Sequence, residues 1–583
     1  MKTISLRTAA AALILALSLH CRAQATIVTK AGKTQFISRG QPMHILGGEL
    51  SNSAATCTAD ARNLMPRMKA LGLNTVLVPA QWDLIEPAEG HFDFTLTGHI
   101  IDKARENGLK LIFLWFGAWK NSMSCYAPLW FKEDAKRFPR AMTAAGRPLE
   151  IASAFSPEVL KADSRAFTAL MRYIAEKDPD KSTVIMVQVE NEIGMLENAR
   201  DYSPRATSLY RGDVPSELTE YLLKNASALH PYILKRITGT DTKGTQTMRT
   251  LKDKLTGGGT WADLFGGDDA YTEEIFMAYH YALYVEQLAA AAKAIHDLPL
   301  YVNAALDSRG RRPGQYPSAG PLARLIDIWH AAAPHIDILS PDIYDDGFKD
   351  WASQYALPGN PLFIPEARCC VNSGVRAMYV IGEHKALGYS PFAIDIAAPE
   401  ARKSIKSAYA LLRRLEPLLT ASGSADTWGL LLSKDDPTRK ITSGDIVITA
   451  SHARTLPWNS TDGPWAEGGG IIIRLGALDY IIAGSGVVAT FATKGTADTA
   501  GGPALGQDGF AATGSDTKAA ADSGRFTFKG KQTGIGYVDE VDINPDGSLK
   551  YLRRDNGDQT HQGRHVCISP GDTRILHVRL YEY

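Results

Sequence analysis

The feature that most constrains the fold is a largely apolar run, 184–189, that leads directly into Glu190, Asn191 and Glu192. A run of Val, Ile and Met is typical of a parallel strand covered on both faces, whereas carboxylates would be costly in that interior. The acidic residues are therefore expected at the exit of the strand. In a (β/α)8 barrel this end of each strand forms the catalytic face.

Seven further strand-like segments alternate with helical patterns, which predicts an α/β fold with a (β/α)8 barrel. An insertion that contains two helical patterns separates the fourth and fifth strands, and such insertions usually shape substrate access. The eight predicted strands are 43–50, 73–79, 109–114, 184–189, 300–304, 336–344, 361–366 and 389–394.

From about residue 427 the pattern changes to short alternating strands separated by Gly, Asp and Pro, which predicts an all-β sandwich. The sequence thus divides into a signal peptide (1–25), a catalytic barrel (26–420) and a C-terminal β-sandwich domain (421–583).

The N-terminus has the three parts of a secretory signal peptide: Lys2 and Arg7, the apolar run 9–19, and Ala23-Gln24-Ala25 before the expected cleavage. The mature protein is expected to be secreted or periplasmic. A lipid anchor at Cys21 is the less favoured alternative, because His20 is a poor match to the small residue that such sites prefer. No later run is long and apolar enough to span a bilayer.

Composition argues against several other classes. The 63 basic and 63 acidic side chains cancel, so nucleic acid is not an expected partner. Five cysteines remain after cleavage, an odd number without metal-type spacing, so neither a disulfide framework nor a metal site is predicted. Cys369 and Cys370 are expected to pack as small apolar residues beside a strand rather than to act as a redox pair. No cofactor is expected, and a homodimer is left open.

Glu192 and Glu366 both end predicted barrel strands, the fourth and the seventh, so a closed barrel can bring them together across one pocket. Two facing carboxyl groups suit glycoside hydrolysis, in which one donates a proton to the leaving oxygen while the other attacks the anomeric carbon. Asn191 is placed to contact a sugar hydroxyl. Glu190 is expected to take a structural role, paired with a nearby cation.

Several aromatic residues follow strand exits, where their faces could stack on sugar rings or simply pack the protein interior. For each of them the two alternatives stay open. They are Trp82, Trp115, Trp119, Trp130 and Tyr344.

The segment 188–194, Gln-Val-Glu-Asn-Glu-Ile-Gly, resembles the QVENEYG signature of family 35 glycoside hydrolases, the β-galactosidases. The segment 82–94, with Glu86-Pro87, Glu89-Gly90 and Phe92-Asp93-Phe94, is similar to one that families 35 and 42 share. The resemblance implies Glu192 as general acid/base, Asn191 as a contact of the 2-hydroxyl, Glu366 as nucleophile and Tyr344 as its neighbour.

The sequence departs from that family at Gly117-Ala118-Trp119, where many members have Ala-Glu-Trp, so an expected galactose-binding carboxylate is missing. Glu49 is a candidate replacement, and Trp119 and Asn121 are further candidate contacts. The continuation 120–124 and the single β-domain resemble a compact bacterial branch, some of whose members remove galactose from plant xyloglucan.

The favoured hypothesis is a secreted, metal-independent, retaining exo-β-galactosidase that acts on galactose-containing oligosaccharides. A barrel glycosidase with another specificity, such as a β-glucosidase, a β-xylosidase or an endo-glycanase, is the second hypothesis. A carbohydrate-binding protein without catalysis is the third, because a fold alone does not prove activity.

Overall fold

The computed structural model describes residues 25–30, 32–421, 426–456, 458–494 and 531–583. The predicted signal peptide, including Cys21, lies outside these residues except for Ala25. In this described part, no helix has the length and apolar character needed to cross a membrane. The chain forms two compact units, Met1–Arg368 with Leu387–Ile396, and Cys369–Ala386 with Ala397–Tyr583.

The first unit contains fourteen described strands. They are β1 (Thr26–Lys30), β2 (Lys33–Ser38), β3 (Gln41–Met43), β4 (Ile45–Leu46), β5 (Thr75–Gln81), β6 (Lys110–Phe116), β7 (Arg140–Met142), β8 (Pro148–Ala152), β9 (Val184–Gln188), β10 (Leu300–Ala304), β11 (Ile338–Ile343), β12 (Phe363–Ile364), β13 (Glu366–Ala367) and β14 (Gly388–Tyr389).

Its described α-helices lie mostly between these strands, with two short 3-10 helices at Ala323–Leu325 and Ile394–Ile396. They are α1 (Thr58–Ala70), α2 (Trp82–Ile85), α3 (Thr95–Glu106), α4 (Leu129–Glu133), α5 (Pro157–Lys177), α6 (Pro204–Tyr210), α7 (Ser216–Lys224), α8 (Pro231–Thr238), α9 (Thr245–Gly257), α10 (Trp261–Leu264), α11 (Ala270–Ile295), α12 (Ile326–Ala332) and α13 (Phe348–Tyr355).

Parallel pairings connect the barrel strands in a ring. One sheet has the order β13-β11-β10-β9-β6-β5, and another has the order β12-β14-β4. Glu49, after β4, forms a parallel bridge with Leu77 of β5, and β12 and β13 belong to one extended segment. The pairings therefore run through eight parallel segments, as in a (β/α)8 barrel.

Strand β9, which covers most of the apolar run 184–189, lies in the middle of the larger sheet. All five of its residues are buried, and it pairs in parallel with β6 and β10. Helix α5 covers the sheet with a buried stripe that includes Phe167, Leu170 and Ile174, and it begins at the cap residue Ser156, whose hydroxyl accepts the Val159 amide. These contacts hold the exit of β9 in a fixed position.

The second unit contains two helices and ten described strands. They are α14 (Ser373–His384), α15 (Pro399–Thr420), β15 (Thr427–Leu432), β16 (Thr438–Ser443), β17 (Ile446–His452), β18 (Gly468–Gly476), β19 (Asp479–Ser485), β20 (Val487–Thr493), β21 (Thr533–Ile543), β22 (Leu549–Arg554), β23 (Val566–Ile568) and β24 (Arg574–Glu582).

Its strands form two antiparallel sheets, with orders β15-β18-β19-β24-β21-β22 and β16-β17-β20-β23. Residues of both sheets, such as Leu432 and Ile482 of the first and Ile448 and Ile568 of the second, share one buried core. Two sheets that face each other across one core form a sandwich. Helices α14 and α15, which the sequence assigns to the barrel domain, group with these strands in the second compact unit.

Several sequence expectations need correction. The first and eighth barrel strands are only two residues long, β4 and β14, because the backbone leaves β pairing soon after them. The insertion between β9 and β10 holds six helices rather than two, and the hairpin β7–β8 carries no strong sequence signal. Cys369 and Cys370 are partly exposed rather than packed in the interior, and the five described cysteines form no disulfide.

Candidate active site

Three carboxyl groups meet at the carboxyl ends of β9, β11 and β13. Glu192, Asp342 and Glu366 each place one carboxyl oxygen within 4.8 Å of the others, and all three side chains are buried. The structure thus brings together the two glutamates that the sequence singles out. Asp342 joins them as a third member, near the end of β11, the strand that pairs with β13.

Glu192 is surrounded by hydrogen-bonding groups from three other segments. The Asn121 side-chain amide donates to Glu192 Oε2, and Asn303 Oδ1 accepts the Glu192 backbone N–H at 3.0 Å. Asn303 also donates to Asp342 Oδ2 at 2.6 Å. Burial, and next the negative charge of Glu366, raise the pKa of Glu192 to about 7, while Lys120 and a hydrogen bond from Asp342 act in the opposite direction.

Glu366 has a different set of neighbours. The Tyr344 hydroxyl donates to Glu366 Oε1, and the buried Glu49 carboxyl lies beside Glu366. Burial, followed by the charge of Glu366, raises the pKa of Glu49 well above its usual range, so Glu49 holds a proton that it can donate. Burial likewise raises the pKa of Asp342, with Glu366 as the next contribution. The cluster is therefore a proton-sharing group in which Glu366 accepts a hydrogen bond.

The segment 119–122 is joined to the exit of β9 by backbone hydrogen bonds. Trp119 O accepts the Asn191 N–H, Asn191 O accepts the Asn121 N–H, and Glu192 O accepts the Ser122 N–H, at 3.2, 3.2 and 3.3 Å. The Lys120 ammonium donates to Asn191 Oδ1 at 2.9 Å. This pairing carries Lys120 and Asn121 to the carboxyl cluster.

Four residues of these two segments have left-handed backbone conformations. The φ angles are +58° at Glu190, +46° at Glu192, +52° at Asn121 and +57° at Ser122. Each such non-glycine conformation costs on the order of 1–3 kcal/mol and persists only when the surroundings hold it in place. The hydrogen bonds between the two segments supply that restraint.

Glu190 does not pair with a cation, contrary to the sequence-based expectation. Its Oε2 atom accepts the Trp119 backbone N–H at 2.8 Å, and its carboxyl group lies beside that of Asp163 of α5, so that burial and then the charge of Asp163 raise its pKa. Because β9 continues into a left-handed turn, Glu190 points behind the barrel strands toward α5, where no described basic residue forms an ion pair with either carboxyl. It stands apart from the Glu192 cluster.

Trp82 and Trp119 are fully buried, so their contacts match the packing alternative. Trp82 packs against Trp115, Trp130 and Phe131, and its indole N–H donates to Glu86 Oε2 at 2.8 Å. Trp119 packs edge-on against two tyrosines of α11, with ring centroids 5.6 and 4.7 Å away. Trp115 and the partly buried Trp130 belong to the first of these clusters.

The other predicted contacts lie at the cluster. Asn191 is fully buried and its Nδ2 atom has no acceptor among the described residues. Glu49 is buried beside Glu366, and the Asn121 amide contacts Glu192. Tyr344 remains 37% exposed, so one side of Glu366 is accessible.

Sequence reasoning missed four residues that line the cluster: Lys120, Tyr301, Asn303 and Asp342. Burial and then the charge of Glu49 raise the pKa of Tyr301, and its hydroxyl has no described partner. A polar residue near the exit of an apolar strand is the signal that singles out Glu192. The same signal is present at Asn303 and Asp342.

The same three carboxylates are the one group in the described part of the chain whose spacing would suit a metal ion. The Asn121 amide, the Asn303 amide and the Tyr344 hydroxyl, however, direct hydrogen atoms at their oxygens. Hydrogen-bond donors compete with a cation for these lone pairs. The donor set therefore suits carboxyl groups that exchange protons better than a metal centre.

Comparisons with known protein families give two matches. Residues 56–221 match the glycoside hydrolase family 42 model, described as Beta-galactosidase, and residues 405–567 match a model described as Domain of unknown function (DUF5597). The first match contains Glu192, whereas Glu366 lies outside both. The model matched is of family 42, so the likeness to family 35 depends on the sequence motifs alone.

Two curated relatives are a β-galactosidase of Xanthomonas manihotis and β-galactosidase 17 of Arabidopsis thaliana. Each is 28% identical to this chain, over 216 and 189 residues respectively. The alignments cover 35% and 32% of this chain and 34% and 26% of the relatives, so the match spans about a third or less of their length. The chain is thus similar to β-galactosidases in one part of its length.

Two solved structures also resemble the chain: the β-galactosidases of the psychrophilic Marinomonas ef1 and of the Antarctic haloarchaeon Halorubrum lacusprofundi. Both are 13% identical, with TM-scores of 0.42 and 0.41. The aligned parts cover 63% and 65% of this chain and 59% of each of those chains.

Proposed function

We propose that this chain is a glycoside hydrolase, a retaining exo-β-galactosidase that removes terminal β-galactosyl residues from oligo- or polysaccharides. The observation that carries the proposal is the buried pair of Glu192 and Glu366, with carboxyl oxygens within 4.8 Å of each other. Retaining glycosidases keep their two carboxyl groups about 5–5.5 Å apart, whereas inverting enzymes need about 6.5–9.5 Å for an intervening water. The short separation supports retention.

The environments of the two glutamates support different roles. Glu192, with a pKa of about 7, holds a proton over the acidic to neutral range and can donate it to the leaving oxygen. Glu366 accepts a hydrogen bond from the Tyr344 hydroxyl, which orients its carboxyl group for attack on the anomeric carbon.

In the first step, Glu366 forms a bond to the anomeric carbon while the bond to the leaving oxygen breaks and that oxygen takes the proton of Glu192. In the second, the Glu192 carboxylate removes a proton from water, and the resulting hydroxide oxygen displaces Glu366. The two inversions restore the original configuration, and Glu192 is protonated again. The protons and the leaving group balance, and one water molecule is consumed for each bond that is hydrolysed.

Unpartnered polar atoms at the cluster supply sites for sugar hydroxyls. Asn191 Nδ2, Glu49 Oε1, Asp342 Oδ1 and the Tyr301 hydroxyl are buried without a described partner. Leaving such groups unpaired costs about 1–3 kcal/mol each, a cost that a polyhydroxylated ligand would relieve. We assign Asn191 to the 2-hydroxyl of the sugar, and Glu49 to the role of the carboxylate that is missing at Ala118.

Family 35 membership, export through a signal peptide, action on xyloglucan side chains and a homodimeric state are further parts of this proposal. The 188–194 motif supports the family, and the 1–25 segment supports export. A screen of aryl β-galactoside, β-glucoside and β-xyloside substrates, followed by product analysis on galactosylated xyloglucan fragments, tests the sugar and the exo mode. Preferential turnover of another glycoside would replace galactose in the proposal.

The central experiment compares Glu366→Gln and Glu192→Ala with the wild-type protein on an aryl β-galactoside. We expect both variants to lose hydrolysis and azide to restore turnover only in Glu192→Ala, because azide can attack the glycosyl-enzyme without base assistance. Glu400→Gln, a charge-matched change at a glutamate of α15 outside the cluster, is the control. Undiminished hydrolysis in either cluster variant would refute the assignment.

A further inference from the structure

A second pair of carboxyl groups lies behind the active-site cluster. Asp163 of α5 and Glu190 at the exit of β9 are both fully buried, and their carboxyl groups lie close enough for each to affect the pKa of the other. The backbone at Gly117 lies against both, since a Cβ there would be 2.8 Å from Asp163 Oδ1 and 2.8 Å from Glu190 Oε1. Only glycine fits this position, so the chain makes room for the pair.

Three of the four carboxyl oxygens accept hydrogen bonds from protein donors. Asp163 Oδ1 accepts the Trp115 indole N–H at 2.8 Å, Asp163 Oδ2 accepts the Tyr284 hydroxyl at 2.7 Å, and Glu190 Oε2 accepts the Trp119 N–H at 2.8 Å. Glu190 Oε1 is buried and has no hydrogen-bond partner among the described residues. Two carboxyl groups can bond each other only if one carries a proton, and this unpartnered oxygen, which lies 2.8 Å from the same point at Gly117 as Asp163 Oδ1, is where a shared proton would lie.

Within the described part of the chain, no cation forms an ion pair with either carboxyl group. Among the described residues, no Lys, Arg or His donates to either carboxyl, and the groups that face them are Tyr284 from α11, Trp115 from β6, and the backbone at Ala118 and Trp119. Tyr284 is the one further titratable group in this shell, and burial raises its pKa well above its usual range. Two ionised carboxylates in this setting would repel each other strongly.

We propose that Glu190 and Asp163 share one buried proton and that this pair positions the segment 119–122 against Glu192. The link runs from Glu190 Oε2 to the Trp119 N–H and from Trp119 O to the Asn191 N–H. From there, Lys120 reaches Asn191 and Asn121 reaches Glu192. Glu190 is thus a positioning residue for the proposed acid/base group, and this role rests on the proposed function.

The matched variants are Glu190→Gln and Glu190→Met. The glutamine oxygen can accept the Trp119 N–H, and its amide can donate to Asp163, so E190Q keeps both hydrogen bonds without a titrating proton. Methionine has a similar volume but makes neither bond. Comparison of E190Q with E190M therefore separates the effect of the hydrogen bonds from the effect of side-chain volume.

The first measurement is thermal unfolding between pH 5 and 9, which does not depend on enzymatic activity. Burial and then the charge of Asp163 raise the pKa of Glu190 well above 4.5, so the wild-type fold loses stability as the pH rises from about 4.5 toward that raised pKa. We expect the melting temperature of E190Q, relative to that of the wild-type protein, to rise with pH. A difference that is constant over this range would overturn the shared proton.

The second measurement is the alkaline limb of the pH profile of kcat/KM on an aryl glycoside that the wild-type protein hydrolyses. In E190M the segment 119–122 is released, and Lys120 and Asn121 no longer favour the ionised form of Glu192. We expect that limb to move above pH 7 and kcat/KM to fall at least about tenfold, a typical loss when a catalytic group is misplaced. In E190Q the limb should stay at its wild-type position.

Equal alkaline limbs in E190M and the wild-type protein would refute the positioning role even if the unfolding result supports the shared proton. If no glycoside is turned over by the wild-type protein, the proposed function fails, and with it the positioning role. The unfolding measurement would then still decide whether the proton is shared.

Discussion

Replacement of Lys120 by methionine tests how the active-site electrostatics set the pH range of the reaction. Glu192 has a pKa of about 7 against an ordinary value of 4.5, a rise of about 2.5 units. Each unit corresponds to about 1.4 kcal/mol, so its surroundings favour the protonated form by about 3 kcal/mol. Lys120 opposes this rise, so removal of its charge should raise the pKa further.

An opposite charge close to a carboxyl group typically lowers its pKa by about 1–3 units. We take a shift of about 1 unit for Glu192, because the Lys120 charge is shared among several carboxyl groups of the pocket. We expect the alkaline limb of kcat/KM to move from about pH 7 to about pH 8. Because the general acid must be protonated, the protonated fraction at pH 8 would rise from about one tenth to about one half. Relative to its own plateau, K120M should be about fivefold more active at pH 8 than the wild-type protein.

The assay is the pH dependence of kcat/KM on an aryl β-galactoside with a poor leaving group, so that proton donation limits the rate. The control is Lys132→Met, which removes a charge from the same region, because Lys132 affects the pKa of Asp83 and Cys125 but not that of Glu192. The plateau value should also fall in K120M, since Asn191 loses its Lys120 contact. An alkaline limb that stays in place or moves to lower pH would refute the reasoning.

Two further changes probe the same site. Tyr344→Phe removes the hydroxyl that donates to Glu366. Because a hydrogen bond to a charged group contributes about 1.5–3 kcal/mol, kcat/KM should fall about 10- to 150-fold. A loss of less than twofold would exclude a role for this bond in the rate-limiting step. Gly117→Ala places a methyl group 2.2 Å from the Trp115 indole nitrogen and 2.8 Å from Asp163 Oδ1, so the free energy of unfolding, measured in denaturant, should fall by about 1–3 kcal/mol. The control is Ala118→Gly at the next position. An unchanged unfolding midpoint for Gly117→Ala would contradict the close approach.

Local patterns in the sequence predict much of the barrel. Apolar runs such as 184–189 and 300–304 coincide with β9 and β10 to within one residue, because both faces of a parallel strand are buried and few polar residues are tolerated there. The two-residue strands β4 and β14 are less predictable, since pairing there depends on close approach of neighbouring backbones. A Cβ at Gly388 would lie 2.4 Å from Ile45 Cβ, which shows how tight that approach is.

The residues of the candidate site also differ in how well the sequence predicts them. The positions of Glu192 and Glu366 at strand exits are visible in the sequence, because a charged residue directly after an apolar strand is a local signal. The partner of Glu190 is not visible, since Asp163 lies in the middle of a helix whose pattern is that of an ordinary amphipathic element. The buried position of Trp82 is not visible in the sequence either, because its aromatic contacts come from two other segments, β6 and α4.

The sequence by itself therefore determined the order of the main barrel strands, the exits of strands such as β9, and the presence of Glu192 and Glu366 at the barrel's carboxyl-terminal face. Only the tertiary structure decided which of those groups meet, and hence which share protons. The physical reason is the distance along the chain between the residues that matter. Strand formation depends on the burial of side chains that are close together in sequence. The pKa of Glu192 instead depends on desolvation and on charges such as Glu366 and Lys120, which are brought within reach only when the barrel closes.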